Sequence, residues 1–407
     1  MSATKPSQLL ETDAWQLRVP DGLSQKSPLL VIPTVHPRGD RRILRCAQVA
    51  LDAGFRVHFI WLGEGSRSEH PFVRETLLPS PADRWERMRM ARKVGRIANL
   101  LDGQLWHIHD YYMLPVANRW SKKTGKRVLY DVHEYYGDEY ASSLLNPEVL
   151  RPQAAKLIDA YQFHSAKRLG AANVVTEKMA GPFRDNEIPV TVSPNYPLLE
   201  SFDTAPKIPF RERRWKTLHI GTLNPGYGTQ LLIDLARRAT ERGLPFEFEA
   251  IARFHSDADE TDFAERLAQA GNPNNLALVP SRSVHEMPAF MASGGFGLSL
   301  LSPGGQNEYS VPSKNFEHLM LGLVDVVSDR PGQRGFVEEY AVGVVGTEAD
   351  PDGFLDRMLA LANDPEVTES RLNAKIEQAR EKFTWERAVA PALAASLQRL
   401  ANTSPAE

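Results

Sequence analysis

Apolar-rich runs and amphipathic stretches alternate along nearly the whole chain. Leu29–Thr34 and Phe55–Leu62 have the length of strands buried on both faces. Between them Arg41–Ala53 places its apolar residues at helical spacing and stops at Gly54. The same reading predicts strands at Leu105–Ile108, Arg127–Val132 and Asn173–Thr176. It predicts helices at Asp83–Leu101, after Asp110, and at Gln153–Leu169. Such alternation predicts a parallel sheet with helices on both faces. A proline-rich stretch, Val192–Pro197 and then Pro206–Pro209, interrupts it and reads as an interdomain linker.

The pattern then restarts. Strands are expected at Thr217–Ile220, Phe246–Ile251, Leu276–Val279, Phe296–Leu300 and Val324–Ser328. Helices are expected at Thr229–Arg242, Asp259–Ala270, Val284–Ala292 and Pro312–Leu321, with two or three more closing the chain. The fold class is therefore α/β, with two facing Rossmann-like domains, residues 1–205 and 206–383. A C-terminal helix, about residues 384–402, is expected to pack back on the first. In open α/β sheets ligands bind beyond the C-terminal strand ends, so an interdomain cleft is the expected site.

Composition narrows the classes. With 42% apolar and 24% charged residues the chain is neither disordered nor fibrous. A single cysteine, Cys46, excludes a disulfide framework and a cysteine-based metal cluster. Net charge is −3, so no global field points to nucleic acid. The charge is uneven: residues 1–205 carry 27 basic and 23 acidic side chains, the remainder 21 and 28. The first twenty residues lack the apolar core of a secretory signal, and the apolar runs are too short to span a bilayer. The expected location is cytoplasmic, with peripheral contact at the inner face of the membrane. That contact would use the helix 83–101, whose Arg89, Arg92, Lys93 and Arg96 accompany Trp85 on one side. A solvated helix face is the alternative.

Candidate chemistry gathers at the predicted C-terminal strand ends. The loop Val35–Ile43 holds Asp40, a helix cap, and Arg42, positioned to reach a substrate phosphate or the surface. His107 and His109, two apart on a strand, point to one face. A metal reading would add Asp110, His133 and Glu134, but His-x-His alone is weak, and no metal is expected. One histidine is expected to pack and the other to border the cleft. Asp131-Val132-His133-Glu134 ends another strand. In the second half, His219–Gly228 is a glycine-containing strand-to-helix turn suited to a diphosphate. Ser313 and Lys314 open a helix behind Pro312, and Glu317 lies one turn on, placed to take two ribose hydroxyls. Asp257-Ala258-Asp259 reads as a helix cap rather than a metal motif.

These motifs, in this order, resemble the glycosyltransferases of the GT-B fold and among them the family 4 retaining enzymes, over roughly residues 28–400. The marks are His36-Pro37 with Asp40-x-Arg42-Ile43, Ala53-Gly54-Phe55-x-Val57, and His107-x-His109-Asp110 with Leu114-Pro115. Asp131-x-His133-Glu134 follows, then a hinge-like Val192–Pro197 with Asn195, and Pro312-Ser313-Lys314-Asn315-Phe316-Glu317 with Gly322. The resemblance implies transfer of a hexose from a nucleotide diphosphate sugar, as co-substrate without cofactor or metal, to a glycan or lipid-linked acceptor, with retention. It places His133 at the reaction centre. It assigns Gly221, Thr222, Arg253, Ser313, Lys314 and Glu317 to the donor, and Arg42, His109 and Glu134 to the acceptor side. Two positions depart from the family. Tyr309, beside Glu308, stands where an acidic residue usually precedes the ribose glutamate. Thr222 and Tyr227 stand where an arginine and a lysine usually neutralise the diphosphate. Arg253 or Lys314 is then required to supply the charge. A nucleotide-sugar epimerase on the same scaffold and a non-catalytic partner that kept the fold are the alternatives.

Overall fold

The computed structural model describes residues 9–12, 15–65, 69–134, 136–137, 140–141, 148–254, 256–283 and 285–403. It divides into two units. The first holds residues 1–195 and 388–407, and the second residues 196–387. The division at Asn195/Tyr196 falls ten residues before the expected boundary. The reason is aromatic: Tyr196 and Phe202 pack with Phe316, Phe336 and Phe383 of the second unit.

In the first unit a short hairpin, β1 (Leu9–Thr12) and β2 (Trp15–Arg18), precedes the main sheet. The sheet comprises β3 (Leu29–Pro37), β4 (Arg56–Leu62), β5 (Glu69–His70), β6 (Val73–Leu78), β7 (Leu105–His109), β8 (Val128–Val132), β9 (Gly170–Val174) and β10 (Val190–Val192). Its order is β10-β9-β8-β7-β3-β4-β6-β5, parallel except for the β5 edge. The chain runs outward from β3 to β6, then crosses to β7 and runs the other way. The switch point therefore lies between β3 and β7, where Thr34 pairs in register with His109.

Four helices matter here: α1 (Arg41–Asp52), α2 (Arg84–Ala98), α3 (Leu114–Thr124) and α4 (Arg151–Leu169). Asp40 caps α1, accepting from the backbone N–H of Arg42 and Ile43 at 3.0 and 3.1 Å. Asp83 caps α2 through Glu86 N–H. Gln104 Nε2 donates to the carbonyl of Ala401, so the C-terminal segment belongs to this unit.

The second unit has a six-stranded parallel sheet: β11 (Lys216–Thr222), β12 (Glu247–Arg253), β13 (Leu276–Leu278), β14 (Phe296–Ser299), β15 (Val324–Ser328) and β16 (Gly343–Gly346). The order β13-β12-β11-β14-β15-β16 puts its switch point between β11 and β14. After β11 comes α5 (Thr229–Glu241), and between β14 and β15 comes α6 (Ser313–Leu321), ended by Gly322 in the left-handed region.

Several expectations need correction. The strand expected at Asn173–Thr176 runs over Gly170–Val174. Polar Asn173 lies inside it because its amide serves the buried network described below. Ser256, not Asp257 or Asp259, caps the following helix through Asp259 N–H; the two aspartates sit in its first turn, toward the positive end of the dipole. The strands β1, β2, β5, β6, β10 and β16 are not predicted by the periodicity, being short or polar on one face. Four α-helices, not two or three, follow β15.

Candidate functional site

Each unit carries a polar cluster at its switch point. In the first unit the centre is Asp131 on β8, fully buried. Arg42 Nε donates to its Oδ1 at 2.8 Å, and Asn173 Nδ2 donates to its Oδ2 at 2.6 Å. Ser193 Oγ in turn donates to Asn173 Oδ1 at 2.6 Å. Arg42 also donates to the Ser193 carbonyl and to Asn195 Oδ1 at 2.8 and 2.9 Å. Burial pushes the Asp131 carboxyl up, but the Arg42 charge, with the His107 and His133 rings close by, outweighs it. Together they hold the group well below the usual carboxylate range. Asp131 is therefore an ion, and an ion accepts only.

Three imidazoles approach this ion. His107 Nε2 stands 3.3 Å from Oδ2 and His133 Nε2 3.3 Å from Oδ1; His109 Nδ1 is 3.9 Å from Oδ2. His109 Nδ1 and His133 Nε2 are 3.1 Å apart. Because Asp131 only accepts, His133 Nε2 carries the proton, leaving Nδ1 of the neutral ring an acceptor. Burial holds His133 below its ordinary value, against the pull of Asp131. Burial, with His107 beside it, holds His109 well below its own.

Cys46 Sγ also reaches Asp131 Oδ2, at 3.8 Å, and burial and the Asp131 charge push its thiol well up. Donor atoms of Cys46, His107, His109 and Asp131 lie within 4.8 Å of one another. The set shares His107 and His109 with the metal reading of the motif, but has Cys46 and Asp131 in place of Asp110, His133 and Glu134. Here Arg42 already neutralises the carboxylate and the thiol keeps its proton.

Two sequence expectations change. Arg42 is not a cation held for a substrate phosphate: it is buried in the ion pair with Asp131. His109 does not border open space, because it and His107 are both fully buried. Lying two apart on an interior strand, both rings face Asp131. Glu134 is exposed on the loop after β8.

Beside His133 lies His36, ring centroids 5.0 Å apart. Its Nδ1 is 3.2 Å from Asp40 Oδ2 and its Nε2 3.4 Å from Asp110 Oδ2. Burial opposes its charge, but Asp40 and Asp110 outweigh burial and raise His36 above its ordinary value. Asp110 has φ +87°, a conformation that costs a non-glycine residue about 1–3 kcal/mol. Its Oδ1 accepts from Tyr112 N–H at 2.7 Å, and burial raises the carboxyl to about 6 despite His36. Between 3.8 and about 6 the folded chain thus binds a proton that the unfolded chain has lost, and stability falls as pH rises through that window. Asp110→Asn removes this titration and keeps the Oδ1 acceptor. It is expected to be more stable than the parent at pH 8 by about 2 kcal/mol, with the gap narrowing toward pH 5. Urea unfolding at the two pH values measures this, and equal destabilisation at both refutes it.

In the second unit, α6 is held in register by a buried polar chain. Ser299 Oγ donates to Asn315 Oδ1 at 2.8 Å, Asn315 Nδ2 donates to Asp325 Oδ2 at 2.7 Å, and His318 Nδ1 is 2.7 Å from Asp325 Oδ1. Gln333 Nε2 donates to the Ser299 carbonyl at 2.7 Å. Gly297 makes room for His318, since a Cβ there would meet its ring at 2.5 Å.

So pinned, α6 carries Lys314 over the end of β11. A Cβ on Gly221, whose φ is +131°, would lie 3.5 Å from Lys314 Nζ. Burial lowers Lys314 to about 8, against the opposing pull of Glu317 and Asp325. Burial and Lys314 together hold His219, also on β11, well below its ordinary value. Thr222 pairs in register with Arg253 at the end of β12, where Arg253 is exposed. Ser313 is exposed at the start of α6, and Glu317 is half-buried one turn on. Tyr309 is 58% exposed, and Glu308 accepts from Gly304 N–H at 2.7 Å.

Thus Gly221, Thr222 and Lys314 come together, with Arg253 on the adjoining strand and Ser313 and Glu317 on the helix of Lys314. Sequence reading missed Asp131 as the hub, and missed Asn173, Ser193, His36 and His219. Polar residues inside otherwise apolar strands were the available signal.

No family model matches the chain, and no curated protein matches it. Solved structures do. Sucrose-phosphate synthase from Thermosynechococcus elongatus superposes with a TM-score of 0.68 at 14% identity, over 92% of this chain and 98% of that one. Anabaena HepE in complex with UDP and glucose gives 0.66 at 14%, over 92% and 100%. An α,α-trehalose-phosphate synthase (UDP-forming) from Burkholderia vietnamiensis gives 0.60 at 14%, over 93% and 98%. The chain has their fold, GT-B, built of two Rossmann-like α/β units.

Proposed function

We propose that the chain is a glycosyltransferase that moves a hexose from a nucleotide diphosphate sugar to a glycan or lipid-linked acceptor, with retention at the anomeric carbon. The observation that carries this reading is Lys314. Its half-buried side chain lies over the Gly221 backbone at the start of α6, with Glu317 one turn on, and desolvation lowers its ammonium to about 8. A partly desolvated ammonium near a helix N-terminus opposes the dipole, and an anion relieves both costs. The likeness to HepE, solved with UDP and glucose, and to a UDP-forming synthase supports the class of donor.

In this reading the second unit binds the donor. Backbone amides at Gly221 and Thr222 and the Lys314 ammonium meet the diphosphate, and they stabilise charge as the glycosidic bond breaks. The Glu317 carboxylate accepts from two ribose hydroxyls. Arg253 and Ser313 flank the phosphates. The first unit serves the acceptor and the transferred sugar, and His133 offers an acceptor Nδ1 to a sugar hydroxyl.

Thermal shift with UDP, GDP, dTDP and ADP sugars and CMP sugars tests the reading, because a ligand of the native state raises the melting temperature by mass action. One donor class is expected to raise it. Glu317→Ala is expected to weaken that donor about tenfold, the order of a charge-assisted hydrogen bond. Cooperative melting with no shift from any donor favours the non-catalytic alternative, which the Thr222 and Tyr227 departures also favour.

A further inference from the structure

Helix α2 is committed on one side only. Met90, Ala91, Val94, Gly95 and Ala98 are buried, and Gly95 lies so close to α3 that a Cβ would overlap Val116 at 2.0 Å. At 100° per residue Trp85, Met88, Arg89, Arg92, Lys93 and Arg96 fall within an arc of about 140° on the opposite side. All six are exposed, Trp85 by 60% and Met88 by 43%.

Charge sets this face apart from an ordinary solvated helix. Among the described residues no acidic group pairs with Arg89, Arg92, Lys93 or Arg96. On α5, by contrast, Arg237 and Arg238 are bridged to Asp234, Glu241 and Asp352. The acids nearest in sequence on α2 are occupied by its own start: Asp83 caps it, and Glu86 accepts from Ala82 N–H. These four cations, interleaved with an exposed tryptophan and methionine, match a surface that is anionic outside and apolar just beneath. A soluble polyanion gives the cations a partner but leaves Trp85 and Met88 in water.

We infer that the outer face of α2 docks the first unit on an anionic lipid bilayer, with Arg89, Arg92, Lys93 and Arg96 on headgroup phosphates and Trp85 and Met88 at the interface. Another side of the same helix carries Arg87, whose charge reaches His36 and Asp110. The helix on the membrane is thus the helix that borders the first unit's cluster. That placement favours a lipid-linked acceptor, a corollary that rests on the transferase reading; the docking itself does not.

Sedimentation of the full chain with vesicles tests the docking without nucleotide or turnover. Binding is expected to phosphatidylcholine vesicles containing phosphatidylglycerol at low salt, and to be lost with pure phosphatidylcholine or at high salt. Arg92→Ala with Arg96→Ala, both exposed and in no ion pair among the described residues, is expected to lower the partition coefficient about fivefold per charge, about 25-fold for the pair. Trp85→Phe is expected to remove most of the vesicle-induced blue shift in tryptophan emission. The inference is overturned by a folded chain that stays in the supernatant with anionic vesicles, or by undiminished binding of the double variant. Retention on heparin by a chain that ignores vesicles overturns it in favour of a soluble polyanion. If vesicles bind but no donor shifts the melting temperature, the docking stands and the transferase reading falls.

Discussion

Asp131→Ala is expected to destabilise the first unit by about 3–5 kcal/mol, the cost of stranding a buried charge by removing its partner. The stranded group is Arg42, which is 7% exposed and cannot shed its proton at accessible pH. The loss also removes the acceptor for Asn173 and the ion that orients His133. Urea unfolding reads the change as a fall in midpoint at constant slope. Because the penalty belongs to the unpaired cation, adding Arg42→Leu to Asp131→Ala is expected to restore much of the stability. A single variant within about 1 kcal/mol of the parent, the size of an exposed pair, rules out the hub.

The sign of the pH dependence follows from the same carboxyl. Its folded value lies well below 3.8, so its contribution is complete above that pH and is lost as pH falls from there toward the folded value. His36 acts at the other end. Its folded value is raised above 6.5, so its contribution is complete below that value and fades as pH rises through the folded one.

Lys314→Ala is expected to weaken the nucleotide sugar about 100-fold, the effect of deleting one side of a buried charge-assisted contact worth about 3 kcal/mol. Calorimetric titration with the donor found by the thermal shift measures it. Lys314→Arg, which keeps the charge but not the shape over Gly221, is expected to recover only part. The free protein holds Lys314 at about 8, so the ammonium is largely intact at pH 7 and largely lost at pH 9. Affinity in the parent is therefore expected to fall between those values, and in Lys314→Ala to stay flat. Binding also takes up protons near pH 8, visible as a dependence of the measured heat on the buffer. An alanine variant that binds as tightly as the parent removes the observation on which the proposed function stands.

The chain's own pattern was enough to place most of the elements. Periodicity of two and of 3.6 is a local property, and it survives in any sequence whose strands are buried and whose helices have one wet face. It located β3, β4, β7, β8 and the long helices, and it put the polar loops at the C-terminal strand ends where they stand. It also brought Lys314 and Glu317 to the first turns of one helix, since spacing along a helix is arithmetic. It failed for β1, β2, β5, β6, β10 and β16, which are too short, or too polar on one face, to show a period.

What pairs with what was not local. Arg42 and Asp131 are 89 residues apart, and only the sheet order that sets β8 near α1 turns a possible phosphate ligand into half of a buried ion pair. His109 reads as open to a ligand until β7 is flanked by β3 and β8 and closed over. The nearness of Lys314 to Gly221 depends on the Ser299–Asn315–Asp325–His318 chain, whose members come from β14, α6 and β15. The residue types able to carry charge and protons are written in the sequence. Burial and partners set which of them are ionised, and those exist only once strands distant along the chain lie side by side.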